Sequence, residues 1–256
     1  MKSADLGSRI LWEDRHLLAV NKRPGEISQA DRTGDTCLLD DLKAFLVERD
    51  AKPGNAFLGL VHRLDRTTSG VMLFSKTSKA LERLNESFRG RDVKKTYWAI
   101  IQGQPPAESG ELVHWISRDT VRNKADATLR PAPDRQEARL DFRLLAAGDR
   151  YSLLEINLHT GRHHQIRAQL AAIGLCIKGD LKYGAARSNP DGGICLHAVH
   201  LELAHPVGND RPPVDVWADP RSVQVDSLWS HLVPPDRDIA FFRSKTYYDL
   251  KTTDNK

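Results

Sequence analysis

The sequence predicts an α+β protein, a single domain on a mixed, largely antiparallel sheet with flanking helices. Strand and helix signals alternate without the regular βαβ units that a parallel sheet needs. In residues 138–146, Leu140, Phe142 and Leu144 alternate with charged side chains, which is typical of a half-buried antiparallel strand. The length of 256 residues suits one sizeable domain that needs neither disulfides nor a structural metal.

The first half of the chain contains two predicted helices among several short strands. One helix has Thr36 as its N-cap, and the second spans residues 78–89 and ends at Gly90. The apolar faces that define them are Leu38, Leu42, Phe45 and Leu46 in the first, and Leu81, Leu84 and Phe88 in the second. Strands are predicted over residues 9–12, 16–21, 57–61, 71–75 and 95–101.

The second half contains three further strands, one helix and two loops. The helix covers residues 162–173, with Ile166, Leu170 and Ile173 facing inward and Gly174 ending it. Strands are predicted over 138–146, 153–158 and 194–203, and loops over 103–110 and 120–136. We expect a catalytic domain over residues 9–222, followed by a partly disordered C-terminal appendage over 223–256.

Composition and charge narrow the class of protein. The net charge is +4, yet residues 61–101 alone contain nine Lys/Arg and four Asp/Glu. Such a local basic excess suits a polyanionic partner, although an ordinary solvated surface would look the same. Cys37, Cys176 and Cys195 form no Cys-x-x-Cys pair, which argues against a zinc ribbon or a redox motif. With no signal-peptide-like segment and no run of 18 apolar residues, the sequence predicts a soluble, cytoplasmic protein.

The segment HRLDRTTSG, residues 62–70, places a carboxylate among cationic neighbours. Asp65 is flanked by Arg63 and Arg66 and lies directly before a Thr-Ser-Gly turn. Nearby positive charge favours the ionised carboxylate, which can act as a nucleophile or as a base. From the charge pattern alone, the alternative is a structural aspartate that pairs with Arg63 or Arg66.

Five motifs of the chain resemble those of the RluA-type family of RNA pseudouridine synthases. HRLDRTTSG agrees with the family signature H-R-L-D-x-x-T-S-G at all seven fixed positions. The others follow in the family's order: KTYWA at 95–99, TGRHHQIR at 160–167, GDLKYG at 179–184, and LHA at 196–198 with HP at 205–206. Gln169 departs from the pattern, since histidine is common there. The resemblance implies the pseudouridine synthase fold and the isomerisation of uridine in RNA to pseudouridine.

The resemblance also implies roles for single residues. Asp65 would be the catalytic aspartate, Arg167 would orient it through an ion pair, and Tyr97 would lie under the target uracil and assist deprotonation of its carbon 5. An arginine–carboxylate pair also fixes geometry, and an aromatic ring can stack on any base. The residues expected to contact the substrate in the pocket are His62, Arg63, Thr68 and Leu196.

A basic stretch precedes the Tyr97 strand. Arg91 and Lys94, together with Arg89 and Lys95, follow the second predicted helix. We predict that Arg91 and Lys94 bind phosphates beside the pocket, which would position the RNA without reading its sequence.

Three other classes of protein fit the sequence less well. His163 and His164, with His159, His197 and His200, could suggest a metal site. However, adjacent histidines on a helix point in different directions, and no metal-binding pattern accompanies them. A glycoside hydrolase would need a second catalytic carboxylate. An inactive RNA-binding module or RNA chaperone on the same fold would be expected to lack Asp65, Tyr97 or Arg167, and all three are present.

The implied reaction sets the expected partners. Isomerisation involves no redox change, group transfer or hydrolysis, so we expect no cofactor and no metal. The expected substrate is ribosomal or transfer RNA, with ribosomal RNA favoured. Asp65 could attack the anomeric carbon or remove the 2′ proton. We expect a monomer without a membrane partner. The family pattern begins near Arg9, so we also expect no N-terminal RNA-binding domain.

Overall fold

The computed structural model describes residues 3–30, 34–51, 53–208 and 210–234 and centres on one mixed sheet. Its strands are β1 (Ile10–Glu13), β2 (Leu17–Lys22), β3 (Gly59–Leu60), β4 (Ser69–Ser75), β5 (Lys94–Gln102), β6 (Ser109–Asp119), β7 (Lys124–Thr128), β8 (Gln136–Ala147), β9 (Tyr151–Leu158), β10 (Leu196–Leu203) and β11 (Val214–Trp217). The α-helices are α1 (Ser3–Ser8), α2 (Leu38–Arg49), α3 (Ser78–Gly90), α4 (Gln165–Ala172) and α5 (Leu228–Leu232). Short 3₁₀ turns occupy Leu181–Tyr183 and Pro220–Ser222.

The sheet joins two halves of the chain through one parallel contact. The strand order is β1-β2-β4-β10-β5-β9-β8-β6-β7, with β3 added to β4 and β11 to β10. β4 and β10 run parallel, and the other strand pairs of the described residues are antiparallel. The predicted α+β class on a largely antiparallel, mixed sheet is therefore confirmed.

Helices α2 and α3 cover opposite faces of β2 and β4. Leu42 and Phe45 of α2 pack with Leu18 and Phe74 of the strands, whereas Leu84 of α3 belongs to the cluster on the other face. Every residue of β2 and β4 is buried, because helices lie on both sides of these strands. Among the residues described, no helix combines the length and apolar character that crossing a bilayer requires.

The segment after residue 222 packs against the second half of the sheet. Trp229 of α5 is fully buried in the same cluster as Trp98, and its indole nitrogen donates to Gln224 Oε1 at 2.8 Å. The described part of the predicted appendage, up to residue 234, thus contributes to the core. Residues 235–256 lie outside the described residues.

Several local predictions need correction. The predicted loop 120–136 contains β7, and β6 precedes it. β7 was missed because its alternating Ala125 and Ala127 carry little apolar signal, although they face Tyr183 and Ala171 in the structure. The N-cap of α2 is Cys37 rather than Thr36. The predicted strand 57–61 shortens to β3, and β6, β11 and the short helices were not predicted.

Candidate active site

Asp65 lies in the loop between β3 and β4, and a buried lysine holds the backbone of that loop. The Lys22 ammonium donates to the carbonyl oxygens of Thr68 at 2.6 Å and of Asp65 and Arg66 at 3.2 Å. Lys22 is completely buried, and burial lowers the pKa of its amine to about 7. These bonds satisfy the inward-facing carbonyl groups and fix the backbone position from which the Asp65 side chain projects.

The second residue of β4, Gly70, lies where two strands approach closely. Gly70 has a φ of +118° and lies opposite Ala198 in the parallel β4–β10 pair. A Cβ atom on Gly70 would lie 2.3 Å from the Ala198 carbonyl oxygen. The glycine of the Thr-Ser-Gly turn is therefore required by both its conformation and its neighbour.

A hydrogen-bond network beneath the loop ties it to the C-terminal segment. His197 Nδ1 lies 2.7 Å from Ser69 Oγ, and His197 Nε2 lies 3.1 Å from the Ala218 carbonyl oxygen. Burial lowers the pKa of His197 to about 4, so its ring is neutral at physiological pH. The amide nitrogen of Gln224 also donates to Ser69 Oγ. The Ser69 position is thus fixed from β10 and from residues after β11.

Arg167 of α4 contacts Asp65, as the sequence predicted. Its Nη1 donates to Asp65 Oδ2 at 3.2 Å, while Nε and Nη2 donate to the two oxygens of Asp180 at 2.7 and 2.8 Å. Arg167 is 5% exposed and Asp180 1% exposed. Burial alone would lower the pKa of Arg167, but the two carboxylates raise it above its ordinary value. Asp180 therefore holds the guanidinium in place, and the same guanidinium donates a charge-assisted hydrogen bond to Asp65.

The local pair of Asp65 with Arg63 or Arg66 that the charge pattern allowed is not what the structure contains. Arg66 pairs instead with Asp35 at 3.1 Å and donates to the Gly25 carbonyl oxygen. Arg63 is exposed and makes no ion pair with the residues that the structure describes. A local structural pair within HRLDRTTSG is therefore absent from the described residues, and the partner of Asp65 comes from a helix 102 residues later.

His164 forms a second contact with Asp65. Its Nε2 lies 3.5 Å from Asp65 Oδ2, and its Nδ1 lies 3.0 Å from the Tyr183 hydroxyl, which in turn bonds to both backbone groups of Ala125. The Arg167 guanidinium lies over the Tyr183 ring, 4.9 Å from its centroid. Burial, with the charge of Arg167, lowers the pKa of His164 to about 2. The wall beside Asp65 is thus a neutral imidazole in a fixed orientation.

Tyr97 borders the same region from the sheet. It lies on β5 between Ala198 and Ile156 of the neighbouring strands and, with His62 and Lys95, lines a small pocket. Burial raises the pKa of Tyr97 above its ordinary value, and the charge of Asp65 raises it further. The phenol therefore stays protonated at physiological pH, which favours a stacking role over acceptance of a proton.

The other residues predicted to contact the substrate in the pocket differ in how accessible they are. His62 Nε2 accepts a hydrogen bond from the Leu73 amide at 3.0 Å, and burial lowers the pKa of His62 to about 4. Thr68 and Leu196 are 2% and 4% exposed. Arg63 alone of this set is exposed.

Arg91 and Lys94 lie where α3 gives way to β5. Arg91 is the C-cap of α3, in the left-handed conformation at φ +66°, and is exposed. The Lys94 side chain is 75% exposed, and its ammonium lies 3.1 Å from Glu202. Both cations are accessible to a phosphate, with Glu202 as a competitor for Lys94.

Among the residues that the structure describes, one group of side chains could hold a metal ion. Ligand atoms of Asp65, His163 and His164 lie within 4.8 Å of one another. The expectation that the two histidines point apart is wrong: their rings stack at 3.8 Å. The reason is that α4 begins at Gln165, and His164 precedes it with φ +51°. A cation bound here would compete with Arg167 for the Asp65 carboxylate.

Four of the side chains that build this site were given no role from the sequence. Lys22, His164, Asp180 and Tyr183 each contact Asp65, its backbone or its arginine. The last three lie inside the TGRHHQIR and GDLKYG motifs, so their position in those motifs was the available signal. Lys22 had no such signal, because a lone lysine in a strand gives no sign that it is buried.

Comparison with known proteins agrees with this geometry. The sequence profile of a family described as "RNA pseudouridylate synthase" matches residues 16–172. The chain is 34% identical over 203 residues to "Uncharacterized RNA pseudouridine synthase YhcT" of Bacillus subtilis, covering 78% of this chain and 65% of that protein. It is 31% identical over 215 residues to "Ribosomal large subunit pseudouridine synthase C" of Vibrio parahaemolyticus, covering 82% of this chain and 65% of that protein.

A relative named for transfer RNA and two solved structures complete the comparison. "tRNA pseudouridine synthase C" of Pectobacterium carotovorum is 29% identical over 255 residues, covering 91% of this chain and 65% of that protein. The chain thus spans 65% of the length of these three relatives. The structure of "Human RNA Pseudouridylate Synthase Domain Containing 4" matches with a TM-score of 0.71 at 24% identity, over 90% of this chain and 93% of that one. "Human RNA Pseudouridylate Synthase Domain Containing 1" matches at 0.66 and 23% identity, over 93% and 88%. Both show the same fold.

Proposed function

The chain belongs to the RNA pseudouridylate synthase family, and from that membership we propose that it isomerises uridine in RNA to pseudouridine with Asp65 as its catalytic residue. One observation carries the assignment to Asp65. Its carboxylate is accessible at 28% and is oriented by Arg167, which is itself buried and held by Asp180. A carboxylate in such surroundings is held in one direction by a charge-assisted hydrogen bond without being buried completely.

The reaction moves one bond from nitrogen to carbon. The bond between N1 of uracil and the anomeric carbon breaks, the base rotates, and C5 bonds to the anomeric carbon. C5 loses its proton and N1 gains one, so no cofactor enters the balance. Asp65 serves this sequence either as a nucleophile at the anomeric carbon or as a base at the 2′ position. Both roles need the ionised carboxylate that Arg167 orients.

The substrate nucleotide reaches Asp65 by leaving the RNA stack. Extrusion of a nucleotide costs a few kcal/mol, which contacts in the pocket and to the backbone offset. Tyr97 offers a ring for the extruded base, and its protonated phenol supports stacking. Arg63 projects into solvent beside Asp65 and is suited to contact the RNA strand left behind. Arg91 and Lys94, which lie at the end of α3 and at the start of β5, bind phosphates of the RNA beside the pocket.

The RNA class is proposed from the relatives. One relative's name specifies the large ribosomal subunit and another's specifies tRNA. We take large-subunit ribosomal RNA as the first substrate to test and transfer RNA as the second. We also propose a cytoplasmic location, where both RNAs are found, and a monomeric, metal-independent enzyme.

The test is the isosteric change Asp65→Asn. Asn can neither attack carbon nor accept a proton at neutral pH, so tritium release from RNA labelled at uracil C5 should cease while RNA binding persists. The matched control is Asp134→Asn, the same change at an exposed loop position, which should release tritium at the wild-type rate. Activity of Asp65→Asn within tenfold of wild type would refute the catalytic assignment. Mapping pseudouridines in RNA from cells with and without the protein identifies the target.

Arg91 and Lys94 are tested together. The double change to Ala should weaken RNA binding and reduce the log–log salt slope by roughly 1.4, about 0.7 per lost contact to single-stranded RNA. The single-turnover rate at saturating enzyme should change little. An unchanged slope with unchanged affinity would remove these residues from the RNA interface.

A further inference from the structure

A second cleft lies at the strand ends in the middle of the sheet, where β5 ends and the neighbouring strand β9 begins. It has a volume of about 610 Å³ and is lined by residues that include Arg150, Tyr151, Lys178, Gly179 and Arg187. We call it the Arg150 cleft. Ligand pockets typically measure about 300–1,000 Å³, so the cleft has room for a nucleotide and not merely for a phosphate ion.

The Arg150 cleft faces away from the catalytic pocket. Tyr97 and Gln102 are five residues apart on β5, whose register with β9 is unbroken, so their side chains lie on opposite faces of the sheet. Gln102 and its partner Tyr151 line the cleft, whereas Tyr97 lies where the charge of Asp65 acts on it and raises its pKa. One backbone segment connects the two sites, because Gly179 lines the cleft and the next residue, Asp180, binds Arg167.

The charge of the cleft selects an anion. Lys178 is neutralised by an ion pair with Asp226 and also donates to Asn189. Arg150 and Arg187 are exposed, and neither guanidinium has an ion pair or a side-chain hydrogen bond with the part of the chain that the structure describes. Two positive charges therefore face the cleft, no carboxylate belongs to the described residues that line it, and Ser188 adds a hydroxyl group.

The Tyr151 ring adds a planar surface to this charge. It is half-buried at the start of β9 and forms one wall of the cleft, with the Lys178 ammonium 6.0 Å from the ring centroid. An aromatic ring beside cationic groups is the combination with which proteins hold a nucleotide, the ring for the base and the cations for the phosphates. Arginine is also the side chain best suited to phosphate geometry.

We propose that the Arg150 cleft binds a nucleotide segment of the RNA substrate outside the target site, with its phosphates on Arg150 and Arg187. The proposal rests on the proposed function, which makes RNA the substrate. Because the cleft opens on the other face of the sheet, only an RNA long enough to pass around the sheet end reaches both sites. A short oligonucleotide bound in the catalytic pocket does not extend into the cleft.

The experiment compares two double variants of equal charge. Arg150→Ala/Arg187→Ala removes the cleft cations, and Arg15→Ala/Lys79→Ala removes two exposed cations at the opposite end of the sheet. Affinity is measured across a salt series for an unmodified large-subunit rRNA transcript and for pentauridylate. In the cleft variant, the slope of log affinity against log salt concentration for the transcript should be smaller by roughly 1.4 than in wild type. Over a fourfold rise in salt, the variant should therefore lose about sevenfold less affinity than wild type loses. Its pentauridylate affinity should equal that of wild type.

Further variants and ligands distinguish an effect of charge from one of side-chain shape, RNA binding from free-anion binding, and the cleft from the isomerase activity. Arg150→Lys/Arg187→Lys should restore most of the slope, because it keeps the charge. Equal transcript slopes for the cleft variant and the control would overturn the proposal. A cleft variant that loses binding of uridine monophosphate or inorganic phosphate but keeps the transcript slope would also overturn it, in favour of a free-anion site. Failure of the wild-type protein to release tritium from any RNA would refute the isomerase instead, while the slopes would still test the cleft.

Discussion

Replacing Asp180 with Asn tests whether Arg167 is held in place from behind. Asp180 accepts two hydrogen bonds from a guanidinium that is 5% exposed, and is itself 1% exposed. Removing one partner of a buried ion pair typically costs about 3–5 kcal/mol. Asn keeps the shape and one acceptor oxygen, and Asp65 still compensates part of the charge, so we expect the lower value, about 3 kcal/mol. For a chain of this size that loss corresponds to a fall in Tm of roughly 6–12 °C.

The assay measures urea and thermal unfolding of Asp180→Asn and of a control variant in which the same change is made in an exposed ion pair. Asp126 bonds to Arg135 at 2.9 Å, but its side chain is 69% exposed, so Asp126→Asn should cost less than about 1 kcal/mol. Tritium release gives a second measurement: the rate at saturating RNA should fall in Asp180→Asn, because Arg167 no longer orients Asp65, while RNA affinity changes little. Equal stability losses in the two variants would refute the reasoning.

Three further predictions concern the loop and the strands beside it. Lys22→Met leaves buried carbonyl oxygens without donors, which costs about 1–3 kcal/mol of unfolding free energy for each unsatisfied group. The rate of tritium release should fall more than the RNA affinity, and an equal fall in both would contradict a positioning role. Gly70→Ala should severely reduce the folded fraction measured by thermal unfolding, because the new Cβ atom meets the Ala198 carbonyl group. The control Gly103→Ala is also at positive φ but in open space, so it should cost only the backbone strain of about 1–3 kcal/mol. The unfolding free energy should decrease as pH falls from about 6.5 to 4, because the unfolded chain binds protons that the buried His62 and His197 refuse until about pH 4. His197→Asn should make this slope shallower in urea titrations, with His62 and His164 supplying the remainder. An unchanged slope would assign it to those two histidines alone.

Most of the fold could be predicted because its strands and helices carry their own apolar patterns. Helix α3 has a capping threonine, Thr77, whose hydroxyl accepts from the Ala80 amide, and an apolar stripe on one face. Strand β7 could not be predicted, because it is stabilised by pairing with β6 and packing against α4, contacts that are distant in sequence. Pairing of β4 with β10 was likewise beyond the sequence, since nothing local encodes a partner 128 residues away.

In the candidate site, too, contacts that the motifs imply could be predicted, whereas contacts that depend on the tertiary fold could not. The pair of Asp65 with Arg167 was expected from the motifs, and the structure contains it. Lys22 was missed because burial of a lysine depends on the carbonyl groups that the tertiary fold turns toward it. The stacked His163 and His164 were predicted to diverge, since a helical geometry was assumed for residues that adopt a turn.

The parallel contact between β4 and β10 also determines when, during folding, the protein can become active. Helices α2 and α3 and the hairpin of β1 with β2 form from neighbouring residues, but the loop of Asp65 is completed by partners more than 100 residues later. Contacts of such long sequence separation carry a loop-closure entropy that slows their formation. Catalytic competence should therefore arise late, after the helical signal has recovered, so that regained turnover during refolding measures closure of the two halves of the sheet.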